Sequence, residues 1–454
     1  MRRLFLPLCL LLLGACVSPR SDDTASRAAV ASSTLPPMKV FAAPRPTPPA
    51  RSNRDIARDF LDLSFRMESG RALPVMTRFE GPITVRVTGK PPASLAADLT
   101  RLLHRLRNEA GIEISLTRAG SANITIEAVS RAEIQRALPQ AACFVAPNIT
   151  SLAQFRSAKR QSKTNWAALQ RRDRIAVFLP NDTSPQEVRD CLHEELAQAL
   201  GPLNDLYRLS DSVFNDDNVH AVLTGFDMLV LRAYYHPDLA NGMTRDRVAA
   251  RLPSLLARIN PAGEGRSAAP LTATPRDWIE AVQTALGPGA GQGTRRRSAL
   301  TALAIAQREG WQDHRLGFSY FALGRLMQAR DAEKAHGYFK LADAAYRRSP
   351  DSAPHQAFVA THLAAHALSA AEGDTALRLI APHLEVAARH ENAVLLTTLM
   401  LLRAEALELG GRADEATNVR LDSLGWARYA FGPDWAVRAK LREFAALNPA
   451  KRRY

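Results

Sequence analysis

Residues 191–205 read Cys191-Leu192-His193-Glu194-Glu195-Leu196-Ala197-Gln198-Ala199-Leu200-Gly201-Pro202-Leu203-Asn204-Asp205. Just before them, Ser184-Pro185-Gln186-Glu187 supplies an N-cap, a first-turn proline and an acidic third position. That spacing predicts a helix running from Ser184 to about Leu200, with Gly201 as its stop. On such a helix Glu194 and Gln198 are one turn apart and share a face, and Glu195 neighbours both. Working outward, Ile175 to Leu179, Ile124 to Ala128 and Ile112 to Leu116 read as strands, and Ile83, Val85 and Val87 alternate like a half-buried one. Asp55 to Phe65 is helical in pattern, and Pro92 to Glu109 places Leu95, Leu99, Leu102, Leu103 and Leu106 on one helical face. Helix, strand, helix, three strands and a long helix make the first half, expected over 54–262, an α+β domain.

The long helix has the spacing of a zinc peptidase of the metzincin type. Such a site needs two ligands one turn apart, a carboxylate beside the first as general base, a glycine to turn the chain, and a third ligand three residues later. With the glycine aligned, Glu194 stands at the first ligand, Glu195 at the catalytic base, Gln198 at the second ligand, Gly201 at the turn and Asn204 at the third ligand. Only the base and the glycine keep their residue types. Sliding one residue back brings His193-Glu194 into place but puts Ala197 at the second ligand. Glutamine and asparagine are weak neutral donors, so the expectation is a pseudo-metal site with no cofactor; zinc or another divalent cation is the alternative.

Glu194 to Gly201 as quoted, with Asn204-Asp205, Ser212-Val213-Phe214-Asn215-Asp216 and Tyr235 to Met243, resembles an uncharacterised proteobacterial lipoprotein family, domain of unknown function 2927. Ser423-Leu424-Gly425-Trp426-Ala427-Arg428-Tyr429 is also similar to what such proteins carry. The resemblance covers about 55–450. It implies a zincin-like mixed sheet with long helices and an altered metal site, plus a helical appendage, and it brings no established activity.

A glycine-rich break at 287–293 lies near the start of a second half, 274–450, that is rich in Ala and Leu and helical in pattern. Gly324, Gly373 and Gly410-Gly411 precede Ala335, Ala376 and Ala416, whose spacing slightly exceeds a tetratricopeptide period of about 34. The expectation is an all-α helical-repeat domain that binds a protein partner, with an ordinary helical bundle as the alternative.

Residues 1–15 combine Arg2-Arg3, an apolar run from Leu4 to Leu13 and small residues before Cys16, the pattern of a signal peptide too short to span a bilayer of roughly 30 Å. Leu13-Gly14-Ala15-Cys16 matches the bacterial lipobox, so Cys16 is the expected lipidation site; plain secretion is the alternative. By resemblance to lipoprotein sorting, Val17 implies the outer membrane, facing the periplasm. Residues 16–53 then form a lipidated, Pro- and Ser-rich flexible linker. In an oxidising compartment Cys143 and Cys191 are expected to form a disulfide, with two buried thiols as the alternative.

The chain's 59 basic against 45 acidic residues give +14, and 46% of its residues are hydrophobic, which excludes a disordered or polytopic membrane protein and favours anionic partners. Seven basic residues between Phe155 and Arg174, Arg172 among them, read as a solvated loop or a grip on an anionic envelope polymer. Export leaves no nucleic acid to meet. Asp205, Asp211, Asp216 and Asp217 form a second acidic cluster read as turn caps. Met228 reads as core, and His220 and His236 as structural or exposed. No Gly-x-Ser-x-Gly, Walker loop or Gly-x-Gly-x-x-Gly occurs. The expected function is a non-catalytic envelope lipoprotein; a divergent metal-dependent peptidase or cell-wall hydrolase using Glu195 is the alternative.

Overall fold

The computed structural model describes residues 35–41, 46–270 and 273–451. The expected leader, Cys16 and the linker up to residue 34 lie outside the described residues.

The first half opens with α1 (Asn53–Ser64), capped by the Ser52 side chain on the Asp55 N–H. There follow β1 (Ile83–Gly89), α2 (Leu95–Ala110), β2 (Ile114–Leu116), β3 (Ile124–Val129), α3 (Arg131–Ala137), β4 (Phe144–Pro147), α4 (Leu152–Ala158), β5 (Ile175–Pro180), α5 (Pro185–Leu200), α6 (Gly225–Tyr234) and α7 (Arg245–Ile259). The five strands form one sheet in the order β2-β1-β3-β5-β4, parallel except for β4, which runs antiparallel along one edge. Every residue of β5 is buried, as expected of a central strand covered on both faces, and its sequence is a continuous apolar run for that reason. Leu99, Leu102 and Leu106 of α2 meet Leu192 and Leu196 of α5 and Met228 of α6 in the main core, while Ile134, Phe144 and Phe178 build a smaller one on the side of α3 and α4. Met228 is core, at 2% exposure.

Like the longer α7, the short elements β4, α3 and α4 have no counterpart among the expected elements. They span only four to seven residues, too short for a hydrophobic period to declare itself. β4 ends in Pro147 on the sheet edge, where a missing N–H is tolerated. Cys143 and Cys191 are disulfide-bonded, 48 residues apart in sequence, and staple the approach to β4 onto α5. A loop of that length contributes about 2–4 kcal/mol.

The second half is helical: α8 (Arg276–Leu286), α9 (Gln292–Arg308), α10 (His314–Met327), α11 (Ala332–Arg348), α12 (Ala353–Ser369), α13 (Gly373–Ile380), α14 (Leu384–Arg389), α15 (Ala393–Leu409), α16 (Ala413–Phe431) and α17 (Asp434–Ala445). Consecutive partners α8/α9, α10/α11, α12/α13 and α15/α16 pack against one another. Ala335, Ala376 and Ala416, the residues at the 40-residue spacing, each lie one turn into a helix and are at most 1% exposed. A Cβ on Gly324 would stand 2.7 Å from the Phe339 ring, and one on Gly317 2.8 Å from Tyr346, so glycine lets α10 approach α11.

The two halves share a polar seam. Arg189 of α5 pairs with Glu391, both 4% exposed at the side chain; Tyr429 donates to Asp98 at 2.8 Å; His355 meets Asp217 at 2.8 Å. The end of the expected linker is not uniformly solvated. The Lys39 N–H donates to the Gly425 carbonyl at 3.1 Å, and Phe41 is buried against Trp426 and Tyr429, because Met38 and Phe41 are apolar enough to dock where Ser- and Thr-rich chain is not.

Candidate functional site

The Ser184 side chain accepts from the Glu187 N–H and fixes the start of α5. Its far end is fixed from outside the helix. The buried guanidinium of Arg172 donates to the carbonyls of Gln198 at 2.6 Å and Ala199 at 2.8 Å, and to that of Gly201, with Trp166 stacked 5.2 Å away. This corrects the reading of Arg172 as part of a solvated basic loop: orphan carbonyls at a buried helix terminus demand a donor, and a guanidinium supplies several in one plane. Gly201 lies against the Tyr234 ring, which any Cβ would approach at 3.1 Å, and the Tyr235 hydroxyl donates to the Leu200 carbonyl at 2.9 Å.

Between these anchors α5 turns Glu194, Glu195 and Gln198 toward a group of carboxyls from distant segments. The Gln198 amide donates to Glu68 at 3.4 Å. Glu68, in the turn after α1, and Asp205 lie close enough for each carboxyl to act on the other. Asp216 accepts from the Tyr207 hydroxyl at 2.9 Å and from Gln283 of α8 at 3.4 Å. Burial first, and then neighbouring carboxyls, push Glu194 up to about 8 and Glu195 and Asp205 well above normal; desolvation of the carboxyl also raises Glu68, helped by Asp216, and Asp216, where hydrogen bonds from Tyr207 and Gln283 oppose it and Asp217 adds to it. Glu195 is 5% exposed and its Oε2 has no partner; Oδ1 of Asp205 has none either.

Of the residues predicted from the motif, Glu194, Glu195 and Gln198 come together. Asn204 points elsewhere, where its amide donates to the Asp62 carbonyl at 2.9 Å and ties the chain to the end of α1. His193 accepts from the Leu223 N–H at 3.1 Å and is held neutral, by burial and then by nearby arginines. His220 meets the Ser210 carbonyl at 2.8 Å, and Nδ1 of His236 faces the Asp238 N–H at 3.2 Å. The second acidic cluster divides: Asp205 and Asp216 join the carboxyl group, Asp211 pairs with Arg51, and Asp217 with His355. Glu68 is the member that sequence reasoning misses, because a polar residue beside Ser69 and Gly70 carries no local signal to mark it.

The aligned ligand positions Glu194, Gln198 and Asn204 carry no imidazole or thiolate. Gln198 and Asn204 turn their amide N–H groups to Glu68 and to the Asp62 carbonyl, which leaves only weak neutral carbonyl oxygens as donors, and no group of three or more His, Cys, Asp or Glu is placed to hold a metal ion among the described residues. A cavity of about 270 Å³ opens elsewhere, lined by Pro46 to Ala50, the start of α6, His220 and His390. Its charges are largely spent: Arg105 pairs with Glu109, Asp211 with Arg51, Glu391 with Arg189. The carboxyl group has no such partners, which makes it the candidate site. Residues 53–254 match the model of a family described as a protein of unknown function (DUF2927). No curated protein and no solved structure matches the chain.

Proposed function

We propose that this chain, whose residues 53–254 belong to that family of unknown function, is a cell-envelope lipoprotein that uses a zincin-like scaffold for binding and not for hydrolysis. The observation that carries this reading is the fate of the ligand positions: Gln198 and Asn204 stand where imidazoles would, offer only neutral carbonyl oxygens, and turn their N–H groups to Glu68 and to the Asp62 carbonyl. Burial, and then the neighbouring Glu194 and Glu68, push the Glu195 carboxyl well above its ordinary range, which disfavours the ionised form that a general base needs. The rival reading, a divergent peptidase or wall hydrolase, rests on Glu195 and Gly201 keeping their residue types.

The helical half supplies a protein-binding surface in this proposal. Trp435 is 73% exposed, and Leu300, Leu341 and Leu421 are also exposed on its helices. The leader pattern before Cys16 supports lipid attachment, and the bond between Cys143 and Cys191 suits an oxidising compartment. Metal analysis of protein purified without chelator tests the central claim. Less than a tenth of an equivalent of zinc is expected. Stoichiometric zinc, lost in Glu194→Ala or Gln198→Ala and accompanied by chelator-sensitive peptide cleavage, would overturn it. Radiolabelled palmitate should enter the protein in cells and be absent from Cys16→Ser.

A further inference from the structure

We propose that Glu68, Glu194, Asp205 and Asp216 receive a cationic side chain, the ammonium or guanidinium of a lysine or arginine on a polypeptide partner. The inference rests on the binding reading above and names the chemistry of its ligand. Elsewhere in this chain several buried carboxylates are matched by cations, Asp59 by Arg51 and Arg208, Asp98 by Arg101, Glu391 by Arg189, and Glu405 by Arg420 and Lys451, and Asp227 is met instead by the Ser212 hydroxyl and the N–H groups of Val213 and Thr224. In a chain with 59 basic and 45 acidic residues such partners are plentiful. Yet the groups acting on Glu194, Glu195 and Asp205 are carboxyls alone, and no ion pair reaches Glu68, Glu194, Glu195, Asp205 or Asp216 among the described residues. Arg276 donates to the Glu68 backbone carbonyl at 2.9 Å and pairs with the Glu280 carboxylate.

The second observation is the orphaned acceptor. Glu195, only 5% exposed, lies within electrostatic reach of Glu194 and Glu68 and leaves Oε2 without a donor. A buried acceptor with no partner is costly unless a ligand supplies one. An organic cation answers this better than a metal ion does. The carboxyls do not converge in threes on one point, whereas an ammonium or guanidinium carries three to five N–H donors that reach acceptors spread over several ångströms. Glu68 and Asp216 are exposed as residues and Glu194 and Asp205 intermediate, so a long side chain meets the outer pair first. The bordering Gln283 of α8 places the site beside the helical half, where a protein partner would lie.

Titration calorimetry of the full chain with acetyl-hexalysine amide at low salt tests this. The protein's net positive charge opposes general attraction of a polycation, so binding reports a local site. One-to-one binding is expected, at least tenfold weaker in Glu68→Gln/Asp216→Asn and lost when the lysines are Nε-acetylated. Glu68→Gln alone, at an exposed position, gives the same direction should the double variant fold poorly. Unchanged affinity in both variants, or stoichiometric binding of Ca²⁺ that blocks the peptide, would overturn the inference. Absence of peptide binding in zinc-free protein sinks this inference only; zinc with Glu195-dependent cleavage sinks the binding reading beneath it.

Discussion

Glu194 shows how a single side chain records the character of its surroundings. Burial and then the charges of Glu68 and Asp216 push its carboxyl up to about 8, above the roughly 4.3 of a free chain. The folded state therefore binds more protons than the unfolded state between about pH 4.3 and 8, and stability falls as pH rises through that window. Glu194→Gln removes the titration. Its melting temperature should exceed that of the parent by about 2–4 °C at pH 8, the shift of roughly 1 kcal/mol for a domain of this size, and match it at pH 5; scanning calorimetry at the two pH values checks this. The motif positions were legible because helix spacing puts i and i+4 on one face whatever their chemistry. Glu68 was not, since a carboxyl brought in by a turn 130 residues away leaves no period in the sequence.

Length helped an element to be legible without deciding it: the three-residue β2 was anticipated, and α7, of 15 residues, was not. α2 and α5, each of 16 residues, carry full periods and caps, whereas β4, α3 and α4 owe their form to the sheet edge they cover. The end of α5 depends on a residue outside it. Arg172→Ala would strip three buried carbonyls of their donor and cost about 3 kcal/mol. Arg172→Lys would recover only part of this, because an ammonium lacks the planar fork; urea denaturation of the two variants should rank them in that order. In the helical half, Gly324→Ala forces a Cβ to within 2.7 Å of the Phe339 ring and should destabilise by about 1–3 kcal/mol, although alanine is the better helix former. Thermal melting checks the sign, and a stabilised variant would mean that α10 and α11 have room to spare.

At the scale of the whole molecule, the composition break at 287–293 separates two kinds of structure without separating two independent bodies. Sequence shows where a pattern changes. It does not show Arg189 meeting Glu391 across 202 residues. Arg189→Met would leave a buried carboxylate unmatched, at a cost of about 3–5 kcal/mol, and Arg189→Met/Glu391→Met should regain most of it. Guanidinium denaturation of the two single variants and the double variant closes that cycle.

The clasp of Lys39 and Phe41 on α16 carries a mechanical consequence. Covalently, residue 39 precedes the α+β half; by contact, it is fastened to the helical one. Tension drawn along the backbone from its amino-terminal side is therefore met first by Gly425, Trp426 and Tyr429, nearly four hundred positions downstream, and reaches α1 only after that grip has slipped.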